Sequence, residues 1–252
     1  MEALRVEGLC KHYGGVRALT NIFFSVEVGE RLAIIGPNGA GKTTLFNVLD
    51  GQLRADDGRF FFFGQDISHL PTCSRTRLGL VRSFQLTALF FNLTVLNNTL
   101  LAFHGILPSR FEMFRPIISY KHLYDKAHEL LDSMDLWERR DELVEAISYG
   151  EQRKLEIALC LAAKPKLLLL DEPSCGLTTV ESKDISTRIR DLGTDVTVIL
   201  IAHDIDLVFD VAERIIVLHH GEIVAEGTCD EIQCNLLVRE IYMGSEATAG
   251  QC

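Results

Sequence analysis

The sequence predicts an α/β protein whose mostly parallel sheet is covered on both faces. Residues 167–170 and 196–202 are apolar without alternation, which is typical of strands in such a sheet. A glycine-rich loop at residues 36–43 joins a third apolar run, residues 32–35, to a segment with helical character. From about residue 94 to 163 the pattern is helical instead. We therefore expect an α/β core with an inserted helical lobe.

The N-terminal part of the chain predicts β structure. Residues 4–9 alternate in polarity, and residues 23–28 end in a turn at Gly29. Residues 56–58 form a second turn signal, which leads into four consecutive phenylalanines at residues 60–63. An aromatic binding patch is one interpretation of this run. We expect instead a strand that is buried on both faces.

The helical lobe contains one clear amphipathic helix, over residues 123–136. Its apolar residues recur at helical spacing with charged residues between them, as on a helix that faces a core. These residues are Leu123, Ala127, Leu130, Leu131 and Met134. After the lobe, residues 181–192 predict a helix between the two long apolar runs, so the alternation of strand and helix resumes.

The composition limits the classes of partner. The chain has 252 residues, of which 47% are hydrophobic and 24% charged, as is ordinary for a globular protein. Its formal net charge of −10 argues against nucleic acid as the main partner, because backbone phosphates would be repelled. The same charge argues against direct docking on an anionic lipid surface. Any membrane association would therefore pass through another protein.

The cysteines and the N-terminus indicate the compartment. The cysteines form no C-x-x-C pair, so neither a disulfide framework nor a zinc site is predicted. The first residues lack the layout of a secretion signal, and we expect a reducing, cytoplasmic setting. An uncharged stretch from residue 83 to 103 has the length of a membrane span. Its amide and hydroxyl side chains would be costly in hydrocarbon, so we reject a span.

The glycine-rich loop matches the pattern G-x-x-x-x-G-K-T of a phosphate-binding loop. It comprises Gly36, Pro37, Asn38, Gly39, Ala40, Gly41, Lys42 and Thr43. Glycines let backbone N–H groups close around phosphates, and the following helix N-terminus adds partial positive charge. Lys42 would reach the terminal phosphates, and the Thr43 hydroxyl would bind Mg²⁺. A glycine turn that merely precedes a helix is the alternative, but strand, loop and helix stand in the order that the motif requires.

Polar residues follow the two later apolar strands as well. Asp171 and Glu172 come directly after residues 167–170, and His203 follows residues 196–202. Ligands of open α/β sheets bind beyond such strand ends. Asp171 is suited to hold Mg²⁺ and Glu172 to polarise an attacking water, whereas an imidazole N–H can stabilise charge on a terminal phosphate. A solvated acidic turn is the alternative for the carboxylates, and the upstream phosphate loop argues against it.

The start of a further helix is marked by Ser148-Tyr149-Gly150-Glu151. The pattern S-x-x-E is a capping box, in which Ser148 is the N-cap and Glu151 occupies position N3. A capped helix N-terminus is also an anion site, so the structural and functional interpretations are compatible.

The order of these motifs resembles the nucleotide-binding subunit of ABC transporters, over nearly the whole chain. The resemblance implies one domain, residues 1–252, with ATP and Mg²⁺ as cofactors and ATP hydrolysis as the reaction. It implies a P-loop NTPase (RecA-like) core with an N-terminal antiparallel β subdomain, in residues 1–93 and 164–252. It further implies an inserted α-helical subdomain at about residues 94–163.

The resemblance also implies roles for individual residues. Tyr13 would stack on adenine, and Gln85 would contact both Mg²⁺ and the partner protein. The catalytic residues would be Glu172 as base, His203 and Gln85. The ligands of Mg²⁺ would be Thr43, Gln85 and Asp171. The nucleotide would be bound by Gly36, Pro37, Asn38, Gly39, Ala40, Gly41, Lys42, Thr43 and Thr44 of one subunit and by Ser148, Tyr149, Gly150 and Glu151 of the opposing subunit.

Several positions narrow or qualify the resemblance. Tyr149 stands where glycine is commonest, which is similar to the subfamily that imports branched-chain amino acids and related amides. Residues 239–244 and the long segment 86–120 also resemble that subfamily. Glu151 replaces a usual glutamine and would bring a carboxylate near the opposing nucleotide. Thr178 replaces a usual asparagine or aspartate, which bears on coupling across the dimer.

The implied assembly is a head-to-tail dimer, either of two copies or with a related ATP-binding subunit. Membrane permease subunits would seat near residues 86–93, an extracytoplasmic solute-binding protein would complete the system, and no nucleic acid would take part. The protein would lie on the cytoplasmic face of the plasma membrane. The alternatives are a lipid or lipopolysaccharide exporter subunit, a non-transport ABC ATPase, and a small-molecule P-loop kinase.

Overall fold

The computed structural model describes residues 1–83, 89–105 and 121–249, with side chains as far as Tyr242. Its strands form two sheets, a four-stranded one of order β2-β1-β4-β5 and a six-stranded one of order β10-β9-β3-β8-β7-β6. The strands are β1 (Glu2–Tyr13), β2 (Val16–Glu27), β3 (Arg31–Ile35), β4 (Asp57–Phe62), β5 (Gln65–Asp66), β6 (Leu80–Arg82), β7 (Leu167–Asp171), β8 (Thr197–Ile201), β9 (Arg214–His219) and β10 (Glu222–Gly227).

Helices of the described ranges surround the six-stranded sheet and fill the middle of the chain. They are α1 (Lys42–Leu49), α2 (Thr72–Leu78), α3 (Val95–Gly105), α4 (Lys121–Ser133), α5 (Tyr149–Ala162), α6 (Thr179–Arg190), α7 (Ile205–Val211), α8 (Cys229–Cys234) and α9 (Leu236–Ala249). Within the described ranges, no helix is both long and apolar enough to cross a membrane.

The four-stranded sheet is antiparallel, and it corrects the expectation for the phenylalanine run. Phe60 and Phe62 are buried, whereas Phe61 is only half-buried and lies beneath the Arg5 guanidinium, 4.7 Å from its ring centroid. The prediction of a strand buried on both faces was therefore wrong. An antiparallel sheet commonly packs one face on the core and leaves the other to solvent, so side chains along a strand alternate between the two. Phe63, at φ 47°, already belongs to the following turn.

The six-stranded sheet is parallel from β9 through β6, and β10 pairs antiparallel at its edge. Strand β7 is buried on both faces, as predicted. Leu167 and Leu169 pack into a core shared with α1 and the four-stranded sheet, whereas Leu168 and Leu170 pack into the core beneath α5, α6 and α7. Neighbouring residues of one strand thus join two cores, because successive side chains point to opposite faces.

The helices in the middle of the chain pack on one another through a small core of their own, formed by Leu100, Phe103, Leu123, Ala127 and Ala162. We propose that α3, α4 and α5 belong to the inserted subdomain expected at about residues 94–163. Helix α4 ends at Ser133, earlier than predicted from the pattern. The chain turns at Asp135, whose φ is 52°, and Leu136 is buried just after the turn. Burial of Leu136 therefore continued the apolar pattern beyond the helix.

A buried arginine anchors the C-terminal end of α1. The Arg75 side chain donates hydrogen bonds to the carbonyl oxygens of Val48 and Leu49, both at 2.7 Å, and to those of Leu70 and Ser68. The last carbonyls of a helix have no partner within it, and they carry partial negative charge. Arg75 therefore satisfies the end of the helix that follows the glycine-rich loop.

Replacing Arg75 by methionine is expected to lower the free energy of unfolding by about 1–3 kcal/mol, because buried carbonyls would lose their donors. Urea denaturation of the purified protein measures the change. Arg77→Met is the matched control, since Arg77 is exposed on the same helix and should cost less than about 0.5 kcal/mol. Equal stability of the two variants would contradict the anchoring role of Arg75.

Candidate active site

The predicted site residues directly follow the carboxyl ends of three adjacent strands of the six-stranded sheet. The glycine-rich loop leaves β3, Asp171 and Glu172 stand at the end of β7, and His203 follows β8. In the sheet β8 lies between β3 and β7, and all three run parallel. Their carboxyl ends therefore meet at one place, as the sequence predicted.

Two glycines of the loop permit close approach of other backbone segments. A Cβ at Gly36 would overlap the carbonyl oxygen of Leu218, and a Cβ at Gly41 would lie 2.6 Å from the carbonyl oxygen of Ala18. Both glycines also have positive φ, at 152° and 107° respectively. Neither position tolerates a side chain, so the loop can pack between β2 and β9 only with glycine at both places.

The loop opens onto a helix start that lacks a side-chain cap. Gly41 is the N-cap of α1, and the first turn of α1 contains no acidic residue. The free N–H groups and the positive end of the helix dipole therefore face the loop, where an anion would be stabilised.

Lys42 is buried and bonded within the loop itself. Its Nζ donates to the carbonyl oxygens of Gly36 at 2.6 Å and Pro37 at 3.0 Å. Burial lowers the pKa of Lys42, and the nearby carboxylates of Glu172 and Asp171 oppose the shift. The Lys42 ammonium group thus interacts electrostatically with the carboxylates at the end of β7 and just after it, and in the loop it could pair with a bound phosphate.

Glu172 and His203 contact each other at the sheet edge. The Nε2 atom of His203 lies 2.9 Å from Oε1 of Glu172, and both side chains remain partly exposed. Glu172 has a φ of 48°, in the left-handed region that side chains other than glycine rarely adopt. Its N–H donates to the carbonyl oxygen of Ile201, the last residue of β8. A strained carboxylate residue held against a histidine is typical of a reaction site.

Asp171 is fully buried and has one unused oxygen. Its Oδ2 accepts a hydrogen bond from the Arg82 guanidinium at 2.6 Å, and its backbone N–H donates to the Ser83 hydroxyl. Its Oδ1 has no hydrogen-bond partner among the described residues. A buried carboxylate oxygen without a partner is costly, and a cation would satisfy it. The described ranges contain no cluster of three or more His, Cys, Asp or Glu residues that could hold a metal ion.

Lys42, Glu172 and His203 line one open cleft of about 420 Å³. Tyr13 is half-exposed at its rim, with Lys11 above its ring. The remaining predicted residues that line the cleft are Asn38, Gly39, Ala40, Gly41, Lys42, Thr43, Thr44, Glu172 and His203. Tyr13 and His203 are far apart in sequence, so only the tertiary structure brings them to the same cleft.

The cleft also contains residues that sequence reasoning missed. Arg17 and His220 line it together with Val16 and Ala18. His220 and Gly221 form the tight turn between β9 and β10. There the N–H of Gly221 donates to the carbonyl oxygen of Ala40 in the glycine-rich loop. A histidine-glycine pair between two strands is a hairpin signal that could have located His220 near a turn. His220 lies beside the glycine-rich loop because β9 is the neighbour of β3 in the sheet, which the sequence does not reveal.

The segment at Ser148 forms the predicted capping box, and this prediction is confirmed. The Ser148 hydroxyl accepts from the Glu151 N–H, and the Glu151 carboxylate accepts from the Ser148 N–H at 2.8 Å. Glu151 also lies 3.2 Å from Nε of Arg139. Burial acts to raise the pKa of Glu151, but these hydrogen bonds and the Arg139 charge outweigh it, and the pKa is lowered. The carboxylate is thus charged but already paired.

The capped start of α5 packs against the loop and helix that follow Glu172. A Cβ on Gly150 would overlap the Glu181 carboxylate, and a Cβ on Gly176 would lie 3.1 Å from the Tyr149 ring. Thr178 is the N-cap of α6 and forms a capping box with Glu181. Threonine therefore keeps the capping function that an asparagine or aspartate would have at this position.

Several predicted residues do not line the cleft of this chain. They are Gly36 and Pro37 at the start of the glycine-rich loop, the buried Asp171, and Ser148, Tyr149, Gly150 and Glu151 at the start of α5. Gln85 lies outside the described residues, so its predicted contacts with Mg²⁺ and with a partner are not addressed by the structure.

Comparison with known sequences identifies the family. The sequence profile described as ABC transporter matches residues 19–175, more than half of the chain. The chain belongs to the ABC transporter family. It is 36% identical, over 96% of its length and 97% of the relative's, to the high-affinity branched-chain amino acid transport ATP-binding protein BraF of Pseudomonas aeruginosa. It is 33% identical, over 98% of its length and 99% of the relative's, to the lipopolysaccharide export system ATP-binding protein LptB of Haemophilus influenzae.

Solved structures of ABC cassettes share the fold. The ADP conformation of the cassette MJ1267 superposes with a TM-score of 0.87 at 32% identity, over 97% of this chain and 99% of that one. A dimeric post-hydrolysis state of the cassette MJ0796, bound to ADP and phosphate, gives a TM-score of 0.74 at 26% identity, over 90% and 98% of the two chains.

The sequence predictions of ABC family, of α/β P-loop NTPase fold and of ATPase activity are confirmed by these comparisons. Nucleotide is the cofactor of this ABC ATPase. The roles of the individual site residues remain predictions, because the comparisons do not test them.

Ser148→Ala removes the N-cap of α5 and is expected to lower the free energy of unfolding by about 1 kcal/mol, because the Glu151 N–H loses its acceptor. Chemical denaturation without nucleotide measures the loss of the cap separately from any role in an assembled dimer. Ser148→Thr, which keeps the hydroxyl, should lose less. A loss as large in Ser148→Thr as in Ser148→Ala would argue against the cap as the cause.

Proposed function

We propose that this protein is the ATP-hydrolysing subunit of an importer for branched-chain amino acids or related small solutes. The contact between Glu172 and His203, beside the glycine-rich loop, is the observation that carries the hydrolytic part. The similarity to BraF over almost the whole chain, together with Tyr149 in the capped segment, supports the choice of solute.

Nucleotide binding would rest on the loop and on Tyr13. The adenine ring would stack on the half-exposed Tyr13, and the phosphates would accept hydrogen bonds from the free N–H groups at the start of α1. Lys42 would exchange its bonds to Gly36 and Pro37 for bonds to the terminal phosphates. Because its donors are already oriented in the loop, this exchange needs little movement.

The residues present fit Mg²⁺, which the family uses with nucleotide. Thr43 is exposed in the cleft, and the buried Asp171 has one oxygen without a partner among the described residues. Hydroxyl and carboxylate oxygens are the ligands that Mg²⁺ prefers, alongside substrate phosphates and water. We propose Thr43, Asp171 and Gln85 as the residues that hold it, although Gln85 lies outside the described residues. When bound, the ion would neutralise charge on the phosphates.

Hydrolysis would use Glu172 as the general base. A water beside the γ-phosphate would transfer a proton to the Glu172 carboxylate as its oxygen attacks phosphorus, while the bond from phosphorus to the β–γ bridging oxygen breaks. His203 would orient the Glu172 carboxylate in the resting state. With ATP bound, its imidazole N–H would donate to a γ-phosphate oxygen.

A second subunit would complete the site. Ser148, Tyr149, Gly150 and Glu151 do not line this chain's own cleft, so we propose that they face the nucleotide of an opposing subunit in a head-to-tail dimer. The capped N-terminus of α5 would stabilise the γ-phosphate there. The Arg139 side chain beside Glu151 would offset the carboxylate that replaces the usual glutamine. The partner is either a second copy or a related ATP-binding subunit.

Permease subunits would receive the force of closure. The exposed fractions of Phe90 and Phe91 are 60% and 39%, and that of Leu143 is 40%. The N–H of Glu145 donates to the carbonyl oxygen of Phe91, which brings the segment of Leu143 next to the two phenylalanines. Exposed apolar side chains of this kind favour a protein partner. We therefore propose that permease subunits seat here, on the cytoplasmic face of the membrane, and that an extracytoplasmic solute-binding protein delivers the solute.

The exporter alternative is less favoured. LptB shares 33% identity with this chain, whereas BraF shares 36%, and the phosphate chemistry of the two classes is the same. A non-transport ABC ATPase acting on nucleic acid is opposed by the net charge of −10.

Glu172→Gln is expected to keep ATP binding and to lower turnover by roughly 100-fold or more, because an amide cannot accept the proton. Size-exclusion chromatography with ATP should then show a trapped dimer. Glu222→Gln, at an exposed carboxylate of β10, is the control and should leave turnover unchanged. Normal turnover in Glu172→Gln would remove the residue from the role of base.

The solute class is tested by reconstitution. The protein, combined in proteoliposomes with its permease subunits and their solute-binding protein, should couple ATP hydrolysis to uptake of leucine, isoleucine or valine. Glu172→Gln in the same assembly is the control for passive uptake. Stimulation by a lipid or lipopolysaccharide substrate instead of these amino acids would establish the exporter alternative.

A further inference from the structure

A second buried arginine lies between the two acidic groups behind the cleft. Arg82, the last residue of β6, is only 8% exposed in its side chain. One guanidinium nitrogen donates to Oδ2 of Asp171 at 2.6 Å, and another donates to Oδ2 of Asp50 at 2.8 Å and to Oδ1 of Asn47 at 2.7 Å. Its fork therefore joins the end of β7 to the last turns of α1.

Buried neighbours hold the Arg82 guanidinium in this orientation. The side chains of Asp50 and Asp171 are 3% and 0% exposed, so neither carboxylate can turn into solvent. The Phe46 ring covers the guanidinium, with its centroid 5.5 Å from Cζ. The other oxygen of Asp50 accepts from the N–H of Gln52. A planar fork with fixed donor directions holds two carboxylates in a defined orientation, which a single ammonium would not do.

The two oxygens of Asp171 are thereby made unequal. Oδ2 is held by Arg82, and Oδ1 has no partner among the described residues. Because the two oxygens of a carboxylate are equivalent, a half-turn only exchanges them, and any intermediate orientation would break the bond to Arg82.

We propose that Arg82 is a positioning residue for magnesium, which holds one oxygen of Asp171 so that the other is presented to the metal. The inference rests on the proposed magnesium site. It adds a residue that touches neither nucleotide nor metal. Because the same guanidinium binds Asp50 and Asn47 of α1, the metal-binding carboxylate is fixed relative to the helix that follows the phosphate loop.

Removing Arg82 alone would change both the orientation of the Asp171 carboxylate and the net charge of the buried group. The buried group of Arg82, Asp50 and Asp171 carries a formal charge of −1, and Arg82→Met would leave −2. Added negative charge attracts a cation, so the single variant cannot separate the two effects. Arg82→Met combined with Asp50→Asn restores −1, so it removes the hydrogen bonds of Arg82, including the one to Asp171, without a change in the net charge of the group. This double variant is therefore the informative one.

The measurement is the factor by which metal strengthens nucleotide binding. The dissociation constant of a non-hydrolysable ATP analogue is determined by fluorescence titration, once in EDTA and once with Mn²⁺ as the probe for the metal site. By linkage, the ratio of the two constants reports how strongly the bound nucleotide and protein hold the metal. No turnover enters this ratio.

For the double variant we expect the dissociation constant in EDTA to stay within twofold of wild type, because the phosphate loop is untouched. The metal-dependent ratio should fall roughly tenfold, as is usual when a residue that orients a metal ligand is lost. A ratio within twofold of wild type in the folded double variant would overturn the proposal. If the double variant does not fold, Arg82→Lys takes its place, since it keeps the charge without the fork. Its ratio should fall several-fold, and a wild-type ratio would overturn the proposal.

Arg75→Met is the structural control. Arg75 is also buried and holds the same end of α1, but it donates its hydrogen bonds to backbone carbonyls rather than to carboxylates. It should lose stability and keep the metal-dependent ratio within twofold. An equal fall of the ratio in Arg75→Met would assign the effect to helix anchoring and overturn the proposal. A wild-type protein that binds nucleotide without any metal dependence would instead contradict the magnesium site itself.

Discussion

Parallel pairing of β3 with β8 and of β8 with β7 sets Ile34, Ile201 and Asp171 side by side across the sheet. The chain leaves each strand within a few residues of this line, so the glycine-rich loop, Glu172 and His203 emerge together. A slip of one residue in β7 would turn Asp171 to the opposite face and separate it from Arg82. The chemistry of the cleft therefore depends on the register of three buried strands.

The loop itself is shaped by contacts with segments far away in sequence. Gly36 lies against the carbonyl of Leu218 in β9, and Gly41 lies against the carbonyl of Ala18 in β2. The N–H of Gly221 then bonds to Ala40. These backbone contacts fix the loop between the two sheets before any nucleotide binds, so the donors at the start of α1 are oriented at no further cost in entropy.

The buried charged side chains around the C-terminal end of α1 are paired with groups of opposite charge or with backbone carbonyls. Arg75 satisfies carbonyls at the end of the helix, and Arg82 pairs with Asp50 and Asp171. Removing one partner from such a group is costly, typically about 3–5 kcal/mol, because the remaining charge is left buried. The one oxygen of Asp171 without a partner among the described residues is the place where this balance is incomplete, and there a metal fits.

The sequence by itself determined the phosphate loop, the acidic end of β7 and the capping box at Ser148, because each is a local pattern with its own backbone chemistry. It also predicted the parallel sheet, since apolar runs such as 167–170 are stable only when both faces are covered. It mistook the phenylalanine run, because the pattern does not reveal that β4 pairs in an antiparallel sheet with one solvated face, where Phe61 meets Arg5. Tertiary structure alone shows three features: Glu172 pairs with His203, His220 lines the cleft, and Arg82 holds Asp171. These contacts join residues whose separation along the chain carries no signal, and strand order alone brings them together.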